Sequence, residues 1–168
     1  MDARYRKLYP RIWQHRVFAL LSTEARLVAL YLLTGPQSNR IGYYRMSVGS
    51  ASEDLGLTPS ACTKLFCSVT KAFGWEWDSE ARVIWVRSWW KWNTPEAANN
   101  LKGAIKDYYD VPTSPLSDGF LRELQPVAEA LGVVVPNPSR TPLEPLSNSG
   151  SGSGSGSGSV RTGGSRRR

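Results

Sequence analysis

The sequence predicts an α+β domain, mainly α, and three observations carry that expectation. Two short helical segments are separated only by Gly56-Leu57-Thr58, two β-prone runs follow them at once around a four-residue polar turn, and apolar residues fill 40% of the 168 positions. One hydrophobic core of ordinary size accounts for such a chain.

The elements follow in order. Ser22 caps the run Ala25-Arg26-Leu27-Val28-Ala29-Leu30-Tyr31-Leu32-Leu33, which is apolar on nearly every side and ends at Gly35, the pattern of a central helix. After a turn, Ile41-Gly42-Tyr43-Tyr44 has strand character. Ser47 then opens a second helix closed by Gly56, and Thr58-Pro59 opens a third that runs to about Phe73, with threonine as cap and proline at the first helical position. Trp75-Glu76-Trp77 and Arg82-Val83-Ile84-Trp85-Val86 flank Asp78-Ser79-Glu80-Ala81 and read as a hairpin. Helix, strand, helix, tight turn, helix and hairpin is the order of a winged helix-turn-helix domain, expected over residues 1–94. Pro95 to Tyr109 and Pro115 to Leu131 supply two peripheral accessory helices within 95–132. Residues 133–168 turn Pro-rich and then Gly/Ser-rich, a tail expected to be disordered with Arg166-Arg167-Arg168 at its end.

Charge points to a polyanionic partner, since the chain carries a net +7. Its distribution is uneven: residues 1–94 hold 13 Lys/Arg against 7 Asp/Glu, 95–146 hold 4 against 7, and 147–168 hold 4 against none. The acidic balance of the accessory helices assigns them to packing against the core or a partner rather than to DNA.

On the third helix, with Cys62 at the centre, Leu65, Phe66, Val69 and Phe73 fall within about 60° of one direction at roughly 100° per residue. That stripe is expected core. Ser60, Lys64, Cys67 and Lys71 lie opposite, with Thr63 and Ser68 on the flanks, a face of small polar and cationic residues suited to a DNA groove. A solvated helix surface would show the same pattern. Arg82 stands beside the wing turn, where it could reach phosphate, although Asp78 and Glu80 would repel it. Arg4, Arg6, Lys7 and Arg11, interleaved with Tyr5 and Tyr9, could track a backbone and stack on bases, or form an edge strand packed on the core. Trp89-Trp90-Lys91-Trp92 has two readings as well, a base-stacking platform or a hydrophobic seam for the helices that follow.

Enzymatic chemistry finds no foothold in the sequence. Phosphate-loop, nucleophile-elbow and zincin motifs are missing, His15 stands alone, and Cys62 and Cys67 lie about 140° apart on one helix, too far around it to chelate or bridge readily. A non-enzymatic cytoplasmic protein with reduced thiols, no cofactor, no metal and no membrane partner is the expectation.

Beyond these residue-level readings, Arg6-Lys7-Leu8-Tyr9-Pro10-Arg11-Ile12-Trp13-Gln14-His15, the segment from Leu21 to Met46, Arg82 to Glu96, Asn99-Asn100-Leu101-Lys102-Gly103 and Ser114 to Leu121 carry a resemblance. From Arg4 to about Leu131 the chain resembles the N-terminal winged-helix region of phage and prophage replication-initiation proteins. The resemblance implies double-stranded DNA binding at an origin, with replisome proteins as partners, in a bacterial host. The helicase-loading module that often follows in such proteins has no counterpart after Gly132. A transcriptional regulator on the same fold, or a protein-interaction module that binds no DNA, remains an alternative reading of the same residues.

Overall fold

The computed structural model describes residues 6–137. The basic N-terminal stretch, for which an edge strand was one reading, instead forms a 3₁₀ turn at Pro10–Gln14 and a short helix α1 at Arg16–Leu20. Proline at the start of the turn fixes its φ and has no N–H to leave unsatisfied. The Arg26 guanidinium then donates to the carbonyls of Phe18 and Ala19, at 3.1 and 2.6 Å, and so holds the last turn of α1 against the next helix.

That helix, α2 (Thr23–Thr34), is capped by Ser22, whose Oγ accepts from the Ala25 N–H at 3.2 Å. Strand β1 (Tyr43–Arg45) precedes α3 (Val48–Leu55) and α4 (Pro59–Phe73), and the side chains of Ser47 and Thr58 cap these two helices as the sequence predicts. Gly56 and Gly74 end them with φ of 66° and 67°, a left-handed conformation that glycine adopts without a steric penalty. The hairpin is β2 (Glu76–Asp78) and β3 (Val83–Trp85). Then come α5 (Trp89–Trp92), α6 (Ala98–Ile105), a 3₁₀ segment at Lys106–Asp110 and α7 (Ser117–Ala130).

The strands form an antiparallel sheet in the order β1-β3-β2, with Tyr44, Ile84 and Trp77 in register on one face. This face meets α2 and α4. The Tyr44 hydroxyl donates to the Leu32 carbonyl, and the Trp77 ring lies edge to face on Phe66 at 5.4 Å. Tyr43 and Trp85 point the other way, toward the C-terminal helices. Tyr43 stacks on Phe120 at 4.7 Å and its hydroxyl is 2.8 Å from the Ser117 hydroxyl. At Gly119 an added Cβ would stand 2.6 Å from the Trp85 ring, so α7 lies directly on the sheet. Helices therefore cover both faces.

Burial on both faces explains why Val83, Ile84 and Trp85 are buried consecutively, where a strand with one wet face would alternate. The accessory helices contribute Leu101, Ala104, Ile105, Phe120, Leu124 and Ala128 to the same buried cluster as α2 and α4. Among the described residues regular structure ends in the turn at Gly132, the place expected from the Pro-rich segment that follows.

Candidate nucleic-acid interface

The site is built on α4. Its buried side is Cys62, Phe66, Val69 and Thr70, with Leu65 and Phe73 half-buried on the margin. Relative to the sequence-based stripe, the centre of burial is rotated toward Thr70, whose polarity argues for the surface. Its hydroxyl is satisfied inside the helix by donating to the Phe66 carbonyl at 2.8 Å, which removes the cost of burying it. Leu65 falls to the flank in consequence.

On the opposite side Ser60, Lys64, Cys67, Ser68 and Lys71 are exposed and Thr63 is half-buried, so the six side chains share one continuous face as expected. No Asp or Glu occurs anywhere in Pro59–Phe73. The helix runs for 15 residues and projects two ammonium groups, seven positions apart, from that face. Seven residues are close to two helical turns, about 10 Å of rise. Its orientation is fixed from behind: Tyr31 on α2 donates to Asp54 Oδ2 of α3 at 2.6 Å, and Gly56 turns the chain between α3 and α4. Burial, followed by the hydrogen bond to Asp54, pushes the Tyr31 hydroxyl well above its ordinary pKa, so the phenol keeps its proton and is the donor of this bond. Burial likewise raises the Cys62 thiol, which leaves it a protonated core residue, while Cys67 faces solvent.

At the hairpin tip Asp78 is tied into the turn, while Glu80 is exposed beside Arg82. Asp78 Oδ1 accepts from the backbone N–H groups of Glu80 and Ala81, both at 3.0 Å, and Oδ2 accepts from the Ser114 hydroxyl at 2.6 Å. With Ser114 as the largest influence and the backbone bonds after it, the Asp78 carboxyl sits below the usual carboxylate range. Asp78 is thus a turn-forming residue tied to the loop before α7. Arg82 has φ of 56° and an exposed side chain, and its carbonyl accepts from the Met46 N–H at 2.7 Å. The turn presents the guanidinium outward.

Of the N-terminal cations, Arg6 is engaged within the fold: its guanidinium donates to the Ser38 hydroxyl at 3.2 Å and to the Ser38 carbonyl at 2.6 Å. Lys7 is exposed, its Nζ 5.6 Å from the Tyr9 ring centroid, and Arg4 lies outside the described residues, as do Arg161 and the terminal arginines. Lys7 stands in a groove with residues the sequence reading kept apart, notably His15, Phe73, Trp75 and Lys91. No local pattern joins them, because three separated segments meet there. Among the described residues no three His, Cys, Asp or Glu side chains gather as a metal set, and no helix is long and apolar enough to cross a membrane.

Compared with known proteins, the chain matches no family model, no curated protein and no solved structure.

Proposed function

We propose that the protein binds double-stranded DNA through a winged helix-turn-helix, with α4 as the helix that enters the major groove. The observation that carries this reading is the acid-free polar face of α4, backed by a fully buried opposite side. The major groove is about 12 Å wide and admits one α-helix, and the N-terminal half of the second helix of such a motif is the part that meets base edges. Ser60, Thr63 and Lys64 occupy that half. Lys71 falls farther along, where phosphate is the natural contact.

Three further features support the reading. The order helix, strand, helix, helix, hairpin with a three-stranded antiparallel sheet is compatible with a winged helix, Arg82 extends outward from the hairpin turn, and the net charge is positive. A role at a phage or prophage replication origin, with replisome proteins as partners in the bacterial cytoplasm, rests on the resemblance described above. Catalysis has no part in it.

The experiment is a gel shift on genomic fragments with the parent and with Lys64→Glu/Lys71→Glu. Reversing two exposed charges leaves the buried side of α4 untouched and turns phosphate attraction into repulsion, so duplex binding is lost while the circular dichroism melt is unchanged. Equal shifts by parent and variant refute α4 as the docking helix.

A further inference from the structure

A second surface, which begins at the C-terminal end of α4, combines exposed rings with cations that have no carboxylate partner among the described residues. Residues 7–17, the end of α4 with Trp75, and the segment from Val86 to Asn93 enclose an open groove of about 280 Å³. This is at the small end of ligand pockets, which run to roughly 300–1,000 Å³, and suits one planar group with its substituents better than a large ligand. No carboxylate lines it among the described residues.

Its aromatic content is ordered. Tyr9 and Trp92 are neighbours, their centroids 6.0 Å apart and their planes tilted by 50°, and they are 37% and 41% exposed, although a ring of either type usually buries more of itself in a folded protein. Exposed His15 stacks on half-buried Phe73 at 5.5 Å and Phe73 on Trp75 at 4.5 Å, which extends the row of rings along the groove. Cations sit at the rim. Lys91 Nζ is 5.6 Å from the Trp92 centroid, matching the placement of Lys7 over Tyr9, so each exposed ring has an ammonium beside it. Lys7, Arg11 and Lys91 have no carboxylate partner among the described residues, whereas Arg87 is paired with Glu76 at 3.4 Å.

We propose that this groove binds unpaired nucleotides of a DNA single strand, with one base stacked on Trp92, a neighbouring base on Tyr9, and the flanking phosphates held by Lys7, Arg11 and Lys91. Rings that offer a π-face, beside cations that offer no base-specific hydrogen bonds, are the two elements of sequence-tolerant single-strand recognition. The ammonium groups are exposed and swing from ring to phosphate as a base arrives. Duplex DNA does not satisfy the groove, because its bases are stacked on one another and present no free face. The inference stands apart from duplex binding by α4, and its test keeps the two separate.

Fluorescence anisotropy of a labelled oligothymidylate, an abasic strand of the same length and labelled dTMP, titrated with the full chain, reads the site. The oligothymidylate binds, while the abasic strand, which keeps every phosphate, and dTMP, which keeps one base, bind far more weakly. Trp92→Ala weakens oligothymidylate binding about five- to a hundredfold, the range that loss of one base stack implies, and Trp92→Phe restores most of it. Should Trp92→Ala lower the melting temperature, Lys91→Glu carries the test alone from an exposed position, weakening strand binding and flattening its salt dependence. Lys64→Glu/Lys71→Glu leaves oligothymidylate affinity within about twofold. Equal affinity for the abasic strand, equal affinity for dTMP, a Trp92→Ala and Lys91→Glu pair that both bind like the parent, or loss of strand binding in the α4 double variant would each overturn the proposal.

Discussion

Arg40 grips Asp107 with three hydrogen bonds that bridge 67 residues of sequence: the guanidinium Nη2 donates to Oδ1 at 2.5 Å, while Nε and the backbone N–H of Arg40 both donate to Oδ2, at 3.1 and 3.0 Å. The pair fastens the turn before β1 to the 3₁₀ segment after α6, so the two sides of the sheet are joined by charge as well as by packing. At Arg40 itself the join continues, since the Trp89 indole N–H donates to the Arg40 carbonyl at 2.9 Å.

Burial alone would raise the Asp107 carboxyl, but the hydrogen bonds and positive charge of Arg40 outweigh it and hold the group below its usual 3.8. A depressed carboxylate stabilises the fold fully above its unfolded value and loses that contribution as pH falls through the folded one. Asp107→Asn should therefore cost about 1 kcal/mol at neutral pH, a few degrees of melting temperature, given that Arg40 remains half in water. The gap between parent and variant should close as pH drops below about 4. Melts at neutral and acid pH check it, and a gap that persists in acid shows that packing, not ionisation, is what Asp107 supplies.

Glu123 on α7 should behave in the opposite sense. Burial raises its carboxyl, and the lowering influences of the Ser88 backbone, Arg87 and the Trp89 backbone do not cancel that rise; its Oε1 has no hydrogen-bond partner among the described residues. With the folded value above the usual 4.5, the parent loses stability as pH climbs from the unfolded value through the folded one. Glu123→Gln keeps an accepting oxygen and removes the charge. It should raise the melting temperature at pH 7 and give no gain near pH 4, where the parent is already protonated. A variant less stable than the parent at pH 7 would mean that the charge itself holds the start of α5.

Core depth on α4 can be read by truncation. Phe66 is fully buried against Trp77, and Phe66→Ala should cost about 3–5 kcal/mol, whereas half-buried Leu65→Ala should cost about 1 kcal/mol because part of its surface is already wet. Denaturant melts rank the two. Equal losses would place the buried direction midway between them and shift the whole polar face by the same angle.

Local chemistry made much of this legible. Ser22, Ser47 and Thr58 cap their helices, Gly56 closes α3, and the polar face of α4 follows from 3.6-residue periodicity alone. What needed tertiary contact was hidden. Trp89–Trp92 reads in sequence as a stacking platform or a hydrophobic seam; it forms a helical turn, entered through Ser88 at φ of 61° and held by the bond from Trp89 to Arg40, that buries Trp89 and Trp90 in the core and leaves Trp92 exposed. In the same way, the apolar run in β3 gives no sign that a second helical layer lies over it, since burial on both faces and burial in a core helix produce similar apolar runs. The groove beside Lys7 is the extreme case, assembled from three segments with no common motif.

Duplex affinity across a salt series separates contact to phosphate from contact to bases on α4. Each lysine that neutralises a phosphate contributes about 0.9 to the slope of log affinity against log salt. If Lys64 and Lys71 both do so, Lys64→Ala/Lys71→Ala should flatten that slope by about 1.8, and alanine keeps the helix intact because both positions are exposed. The two should differ in what they read. Lys71, two residues from the C-terminal end of α4, should weaken every duplex alike when removed, while Lys64, nearer the N-terminus, should also change the preference among base pairs at one position of the site. Arg82→Ala provides the comparison for the hairpin, with a slope change of about 0.9 and no change in preference if it meets backbone alone. Superimposable lines for the parent and the lysine variants would show that neither lysine touches DNA, and would move the docking face off α4.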